Sequence, residues 1–209
     1  MTKYLPEGHL INTIENKSAI TSVFALQEAM LHGQILEARA KICDGDHNLI
    51  IDLPCIKGII PRIECAIGIE DGSTRDIALI SKVNKPVCFK VLNITTDENG
   101  EPVAILSRKA VQLECMREYI ETLNAGDIIP AKVTHLEQFG CFVDIACGIP
   151  SLIPIDAISI SRISHPSDRF STGQNIFVII KSIENGRICL SHKELLGTWE
   201  ENAEKFNVG

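Results

Sequence analysis

The sequence predicts a mainly β protein, built as two small five-stranded barrels in tandem with short linking and flanking helices. Three observations point there. The 209-residue chain repeats itself once. Each copy holds five short apolar runs split by glycine-containing turns within about 75 residues, the pattern of a small closed barrel. Helical periodicity is confined to three short segments.

Residues 1–32 read as an N-terminal arm and a helix. Ser18 is placed to cap a helix from Ala19 to about His32, and Gly33 supplies its C-terminal stop. Val23, Leu26, Ala29 and Met30 recur along it at helical spacing. Residues 33–110 are the first copy. It opens at Gly33-Gln34-Ile35-Leu36 and continues through Ile50-Ile51-Asp52, Gly58-Ile59-Ile60-Pro61 and Val87-Cys88-Phe89-Lys90-Val91. It closes on Ile105-Leu106-Ser107. Residues 111–124 link the copies, and the run from 110 to 123 is expected to be helical. Residues 125–196 are the second copy, with the matching runs Gly126-Asp127-Ile128-Ile129, Phe142-Val143-Asp144, Ser151-Leu152-Ile153-Pro154, Ile176-Phe177-Val178-Ile179-Ile180 and Ile188-Cys189-Leu190-Ser191. In residues 197–209, Thr198 and Glu201 fit a capping box, and Leu195, Trp199, Ala203 and Phe206 follow at helical spacing. The final Phe206-Asn207-Val208-Gly209 is similar to the lead-ins Leu123-Asn124-Ala125-Gly126 and Phe170-Ser171-Thr172-Gly173, so a further repeat is expected to follow.

Composition narrows the function classes. No apolar run approaches 18 residues and the N-terminus has no apolar signal core, so neither a membrane span nor export is expected. The eight cysteines form no Cys-x-x-Cys pair and have no histidine at zinc-ligand spacing, which reads as reduced core thiols in a cytoplasmic protein. The net charge is −7, but residues 31–110 and 125–196 each carry only −1. Near-neutral cores argue against strong, sequence-blind phosphate binding. They leave room for weak binding led by stacking. No Gly-rich phosphate loop and no nucleophile with a spaced base is present, so neither an enzyme, a cofactor nor a small-molecule substrate is indicated. Asp44-Gly45-Asp46-His47-Asn48 is a polar turn without the spacing of a calcium loop.

The stretch Val133–Asp144 carries the most information. Alternation places Cys141, Val143 and Ile145 on one face and Phe142 and Asp144 on the other. With the first set inside a barrel, Phe142 faces water. Phe139 lies on the opposite face of a regular strand, and Gly140 permits a bulge or tight bend that brings both rings to one side. Two such rings make a stacking platform for unpaired bases. Lys132 alternates outward with Thr134 and places a cation beside Phe142. Arg162, His165 and Arg169 lie in the long connection after the third strand. Other readings stay open: Phe139 as a core residue, Arg162 and Arg169 as a solvated pair or a structural salt bridge, Arg187 as a brace of the last hairpin, and Trp199 as either packing or stacking.

In residues 125–196 the array resembles the S1-type RNA-binding domain, the repeat of the largest small-subunit ribosomal protein. The resemblance rests on Gly126-Asp127, Phe139-Gly140-Cys141-Phe142-Val143-Asp144, Arg162 with His165-Pro166-Ser167-Asp168, Gly173-Gln174 and Gly186-Arg187-Ile188-Cys189-Leu190-Ser191. It implies a five-stranded OB-fold barrel that binds single-stranded RNA. It also implies an RNA face made from Phe139, Phe142 and Arg187, with Glu184 standing for the family's acid. The family's histidine position holds Pro154 and its serine position Asp156, which removes a ring and adds a negative charge. The first copy is a degenerate version, with His47 in the place of Phe139 and Ile50 in that of Phe142. Its Arg39, Lys41, Arg62, Lys82, Lys85 and Lys90 remain available for phosphate, but a structural barrel is the simpler reading.

The function expected is non-catalytic binding of single-stranded RNA, messenger or ribosomal, with the small ribosomal subunit as a partner. The contacts are stacking on Phe139 and Phe142, with Lys132, Arg162 and Arg187 on phosphates or base edges and Glu184 at the last hairpin. The alternative is an S1-type protein-interaction module docking on the ribosome or on an RNA-processing enzyme. A third is the accessory end of such an enzyme.

Overall fold

The structure is a computed structural model that describes residues 3–184 and 187–197. The expected C-terminal helix with Thr198, Trp199 and Phe206, the terminal lead-in, and Gly186 of the last hairpin lie outside the described residues. The chain divides into two units, Glu7–Glu121 and Thr122–Gly209 with Met1–Pro6.

The first unit opens with two helices where the sequence suggests one. Helix α1 spans Ile14–Ala19 and α2 spans Val23–Leu31. Thr13 caps the first, its hydroxyl accepting the Asn16 N–H at 3.2 Å. Ser22 caps the second by accepting the Ala25 N–H at 3.1 Å. A serine that bonds its own backbone outcompetes helix continuation, which is why the run splits there rather than starting at Ser18. Gly33, at φ +58°, ends α2 as expected.

Five strands follow: β1 (Leu36–Cys43), β2 (Leu49–Ile51), β3 (Lys57–Ile60), β4 (Pro86–Thr96) and β5 (Pro102–Ser107). Helix α3 (Asp76–Ile80) lies between β3 and β4. The strands close in the order β1-β2-β3-β5-β4, and only β3 and β5 run parallel. Inward residues of every strand, among them Leu36, Ala40, Leu49, Ile51, Ile60, Phe89 and Leu106, fill the interior together with Leu26 of α2. Helix α4 (Arg108–Glu118) begins two residues before the expected start, because the Ser107 hydroxyl accepts the Ala110 N–H at 2.8 Å.

Two buried carboxylates anchor residues 7–37 to this barrel. Glu7 is 5% exposed and Arg108 3% exposed. The Arg108 guanidinium grips Glu7 at 2.6 and 3.1 Å, Lys82 reaches it at 2.8 Å, and the Cys88 N–H donates to it at 3.1 Å. Burial opposes this charge, but the two cations win and hold the Glu7 carboxyl far below the usual range. Glu37 instead accepts the N–H groups of Gly8, Leu10 and Ile11 at 2.9–3.1 Å. Burial first, and then the Glu7 charge, push its carboxyl up to about 7 against the pull of those donors.

The second unit repeats the scheme with β6 (Ile128–Glu137), β7 (Gly140–Ala146), β8 (Ile149–Pro154), β9 (Asn175–Glu184) and β10 (Arg187–Ser191). They close in the order β10-β8-β7-β6-β9, with β8 and β10 parallel. Ile129, Val133, Cys141, Val143, Ile145, Ile153, Val178, Ile180 and Leu190 are buried inside. All eight cysteines are free. Burial pushes the Cys65 and Cys141 thiols up to about 12, so both sit in the core as neutral hydrophobes. Cys189 alone among the eight is exposed. No described helix is long and apolar enough to cross a membrane.

Two outcomes test these charges. Arg108→Met removes the guanidinium that grips buried Glu7, and the urea midpoint of the first barrel should fall by the equivalent of about 3–5 kcal/mol. For Glu37 the folded carboxyl lies above its unfolded value of 4.5. The folded state therefore holds the extra proton, and stability falls as pH rises from about 4.5 to about 7. Relative to Glu37→Gln, which does not titrate, the native chain should lose about 3 kcal/mol across that window and stay level above it. Denaturation curves at a series of pH values read the difference.

Candidate nucleic-acid interface

The β6–β7 hairpin positions both rings. Glu137 pairs with Gly140, so Gln138 and Phe139 make the turn between the strands. Phe139 is thus a turn residue rather than a strand residue, and the parity that would place it opposite Phe142 does not apply. Its ring is 56% exposed, which excludes the core reading. Phe142 is half-buried on the outer face, because Cys141, Val143 and Ile145 occupy the interior. The two ring centroids are 6.1 Å apart with an interplanar angle of 90°, an edge-to-face pair. The bend that unites them lies at Gln138–Phe139, one step before the expected Gly140. Gly140 matters for a different reason, since a Cβ there would stand 2.3 Å from the Ile153 carbonyl oxygen of β8. The missing side chain lets β7 and β8 approach behind Phe139, whose own carbonyl accepts the Ile155 N–H at 2.9 Å.

Register corrects two expectations. Lys132 pairs with Asp144, not with Phe142. The residue facing Phe142 is His135, because a bulge falls between Val133 and His135. The Thr134 hydroxyl donates to the Phe142 carbonyl at 3.1 Å beside this irregularity. Thr134 and His135 are consecutive, yet both are exposed. Asp144 is expected outside but is only 4% exposed. A second irregularity between Asp144 and Ala146 leads into the turn at Cys147 and Gly148, both at positive φ, and Asp144 accepts the Gly148 N–H there at 3.0 Å.

The remaining predicted residues fall in two places. Glu184 and Arg187 face each other across the β9–β10 hairpin, and both are exposed. Arg162 is exposed in the connection between β8 and β9. Neither Arg162 nor Arg187 forms an ion pair among the described residues, so the salt-bridge reading of the connection does not hold for Arg162. His165-Pro166-Ser167-Asp168, part of the sequence array, serves a 3-10 turn. His165 caps it by accepting the Ser167 N–H at 3.1 Å, and Asp168 accepts the His165 and Ser164 N–H groups. Those donors hold the Asp168 carboxyl below its ordinary value. Pro154 pairs with Gly140 at the end of β8 and is exposed, as is Asp156.

An outward row crosses the barrel wall here. Phe142 pairs with Leu152 of β8, and Leu152 with Cys189 of β10. Two strand spacings separate Phe142 from Cys189, about 10 Å. Arg187 lies two residues along β10 from Cys189, on the same side by alternation. His135, Leu152 and Cys189 were not legible as site residues. Period-two counting places His135 inward, and nothing local announces the bulge. Among the described residues no group of three His, Cys, Asp or Glu side chains is placed to hold a metal ion.

The first barrel has the same register with different chemistry. Its bulge lies between Ala40 and Ile42, and Ile42 pairs with Ile50, Ile50 with Ile59, and Ile59 with Ile105. An aliphatic row therefore stands where the second barrel has His135, Phe142, Leu152 and Cys189. His47, at φ +63°, occupies the hairpin turn. Several of its cations are engaged: Arg62 with Asp76, Lys82 with Glu7, Lys90 with Glu114 and Lys41 with Asp52.

Residues 122–193 match the family model described as S1 RNA binding domain. That segment, which contains the whole second barrel, belongs to the S1 RNA-binding domain family. Most of the chain is also similar to curated relatives. It is 34% identical over 185 residues to "Small ribosomal subunit protein bS1" of Staphylococcus aureus (strain COL), covering 85% of this chain and 44% of that protein. It is 32% identical over 184 residues to the bS1 homolog of Bacillus subtilis (strain 168), covering 84% and 45%. The chain thus spans less than half the length of these relatives. Among solved structures, GSP13 from Bacillus subtilis is similar over 37% of this chain and 61% of its own, at 22% identity and a TM-score of 0.34.

Gly140→Ala should move β7 from β8 and lower the thermal midpoint of the second barrel, with a loss of about 1–3 kcal/mol, the range for overpacking. Retention of the wild-type melting temperature would remove the close approach as the reason for this glycine.

Proposed function

We propose that the second barrel binds single-stranded RNA by stacking unpaired bases on Phe139 and Phe142, as a non-catalytic module associated with the ribosome or messenger RNA in the cytoplasm. The observation that carries this reading is the pair of outward rings 6.1 Å apart on a segment of the S1 RNA-binding domain family. Each base stacked on an aromatic contributes about 1–3 kcal/mol with little sequence preference. Arg187 and Arg162, without ion-pair partners among the described residues, are suited to phosphate or base edges. Lys132 adds a cation two pairs along β6 from Phe142, and Glu184 an acceptor opposite Arg187. The similarity to ribosomal bS1 proteins supports ribosomal or messenger RNA, and the small ribosomal subunit as a partner. Residues 33–110 act as a structural barrel of the same type, with residues 111–124 as the linker and 125–196 as the RNA-binding part.

One observation favours a second reading for the first barrel. Its Ile42–Ile50–Ile59–Ile105 row is apolar where the second barrel is aromatic, and most of the cations named for it are engaged. Such a surface suits a protein partner better than a polyanion.

Titration of the full chain with a fluorescently labelled single-stranded oligouridylate, at two salt concentrations, tests the RNA reading. Binding with a shallow salt slope is expected, since few phosphates are neutralised. Replacing Phe139 and Phe142 together by Ala should weaken it by about 2–5 kcal/mol. Undiminished binding by the double variant would transfer the case to protein docking.

A further inference from the structure

We infer that His135 is a third base-stacking residue of the RNA face, placed there by the β6 bulge. This deepens the RNA reading above and rests on it.

Strand parity alone would bury this histidine. Val133 is buried, so in a regular strand Thr134 points outward and His135 points in. The extra residue between the Val133–Val143 and His135–Phe142 pairs resets that parity. A bulge of this kind leaves one residue unpaired and re-aims the next side chain. His135 therefore stands on the outer face, directly across the strand pair from Phe142. Directly opposed residues of an antiparallel pair place their Cβ atoms about 5 Å apart. His135 is the residue of β6 that pairs directly with Phe142.

The ring is accessible and oriented. Its side chain is 66% exposed, and Nε2 lies 2.8 Å from the Glu137 carboxylate two residues on. Glu137 closes the hairpin against Gly140, so the group that holds the imidazole belongs to the same turn that presents Phe139. The consequence is three flat rings, Phe139, Phe142 and His135, around one end of one hairpin. Histidine is among the side chains on which splayed bases stack. With Nε2–H donated to Glu137, Nδ1 of the ring is left as an acceptor for a base edge, which neither phenylalanine has.

The first barrel supplies an internal comparison. Its bulge is at the same place in the register, and the re-aimed residue is Ile42, across from Ile50. The backbone device is thus common to both barrels, and what differs is the chemistry placed on it. In the barrel with aromatic rings the bulge presents an imidazole; in the barrel without them it presents another aliphatic side chain. The bulge is independent of ring content; the side chain it presents is what differs with it.

The test uses the full chain, the labelled oligouridylate, and the variants His135→Ala, His135→Phe and Phe142→Ala. His135→Ala should weaken binding about five-fold or more, one stack at the low end of its range. His135→Phe should bind within about two-fold of the native chain, because the ring is restored. In proton NMR, the imidazole signal of His135, identified among the six histidines by its loss in His135→Ala, should shift as the RNA is added. Native-like binding by His135→Ala, with a clear loss in Phe142→Ala, would overturn the role of His135 and leave the RNA reading intact. Equal weakness of the Ala and Phe variants would overturn stacking as its mode. An unmoved His135 signal at saturating RNA would overturn contact altogether. If all three variants bind like the native chain, the two-phenylalanine platform fails with it.

Discussion

A five-stranded barrel has an interior with room for one inward residue from each step of each strand, and little more. In the second barrel that space is taken by Val133, Cys141, Val143, Ile145 and Ile153 and their neighbours, all essentially inaccessible. Side chains alternate with period two, so filling the interior with small aliphatic groups forces the intervening side chains outward. Phe142 is on the wall for that reason. The outward ring is a consequence of how the core is filled, and the candidate interface inherits its position from packing rather than from any contact of its own.

The two barrels show what this constraint leaves free. Both place a bulge after the same inward position of the first strand, both pair the residue after it with the outward residue of the second strand, and both continue the row through the third and fifth strands. The backbone plan is duplicated. The outward rows are not: four isoleucines in one barrel, against histidine, phenylalanine, leucine and cysteine in the other. Outward positions contribute less to barrel stability than inward ones, so they can change without loss of fold. The two barrels differ in chemistry on the surface that folding does not specify.

Buried charge is handled in opposite ways in the first unit. Glu7 is kept ionised by Arg108 and Lys82 at bonding distance. Glu37, close by, is met among the described residues only by backbone N–H groups, and its proton affinity rises. A cation compensates for lost hydration more fully than amide dipoles do. The difference also explains why residues before the first helix belong to a folded unit although the sequence there looks like an arm. No periodicity marks Glu7 or Glu37, and their partners lie far along the chain.

Whatever is encoded in short-range pattern was legible in the amino-acid sequence. The duplication, the five strands per copy, the identity of the inward residues, the stop at Gly33 and the outward Phe142 all follow from period-two alternation and turn chemistry. Everything that depends on register was left to the three-dimensional fold. It split the first helix at Ser22, moved Phe139 from strand to turn, buried Asp144 beneath a tight turn, exchanged Lys132 for His135 opposite Phe142, and made a capping turn of His165-Pro166-Ser167-Asp168. The reason is physical: a bulge or a two-residue turn shifts the pairing by one residue, and one residue is enough to move a side chain to the other face of the sheet. Such shifts are set by the partner strand across the barrel, so they leave no trace in the local sequence.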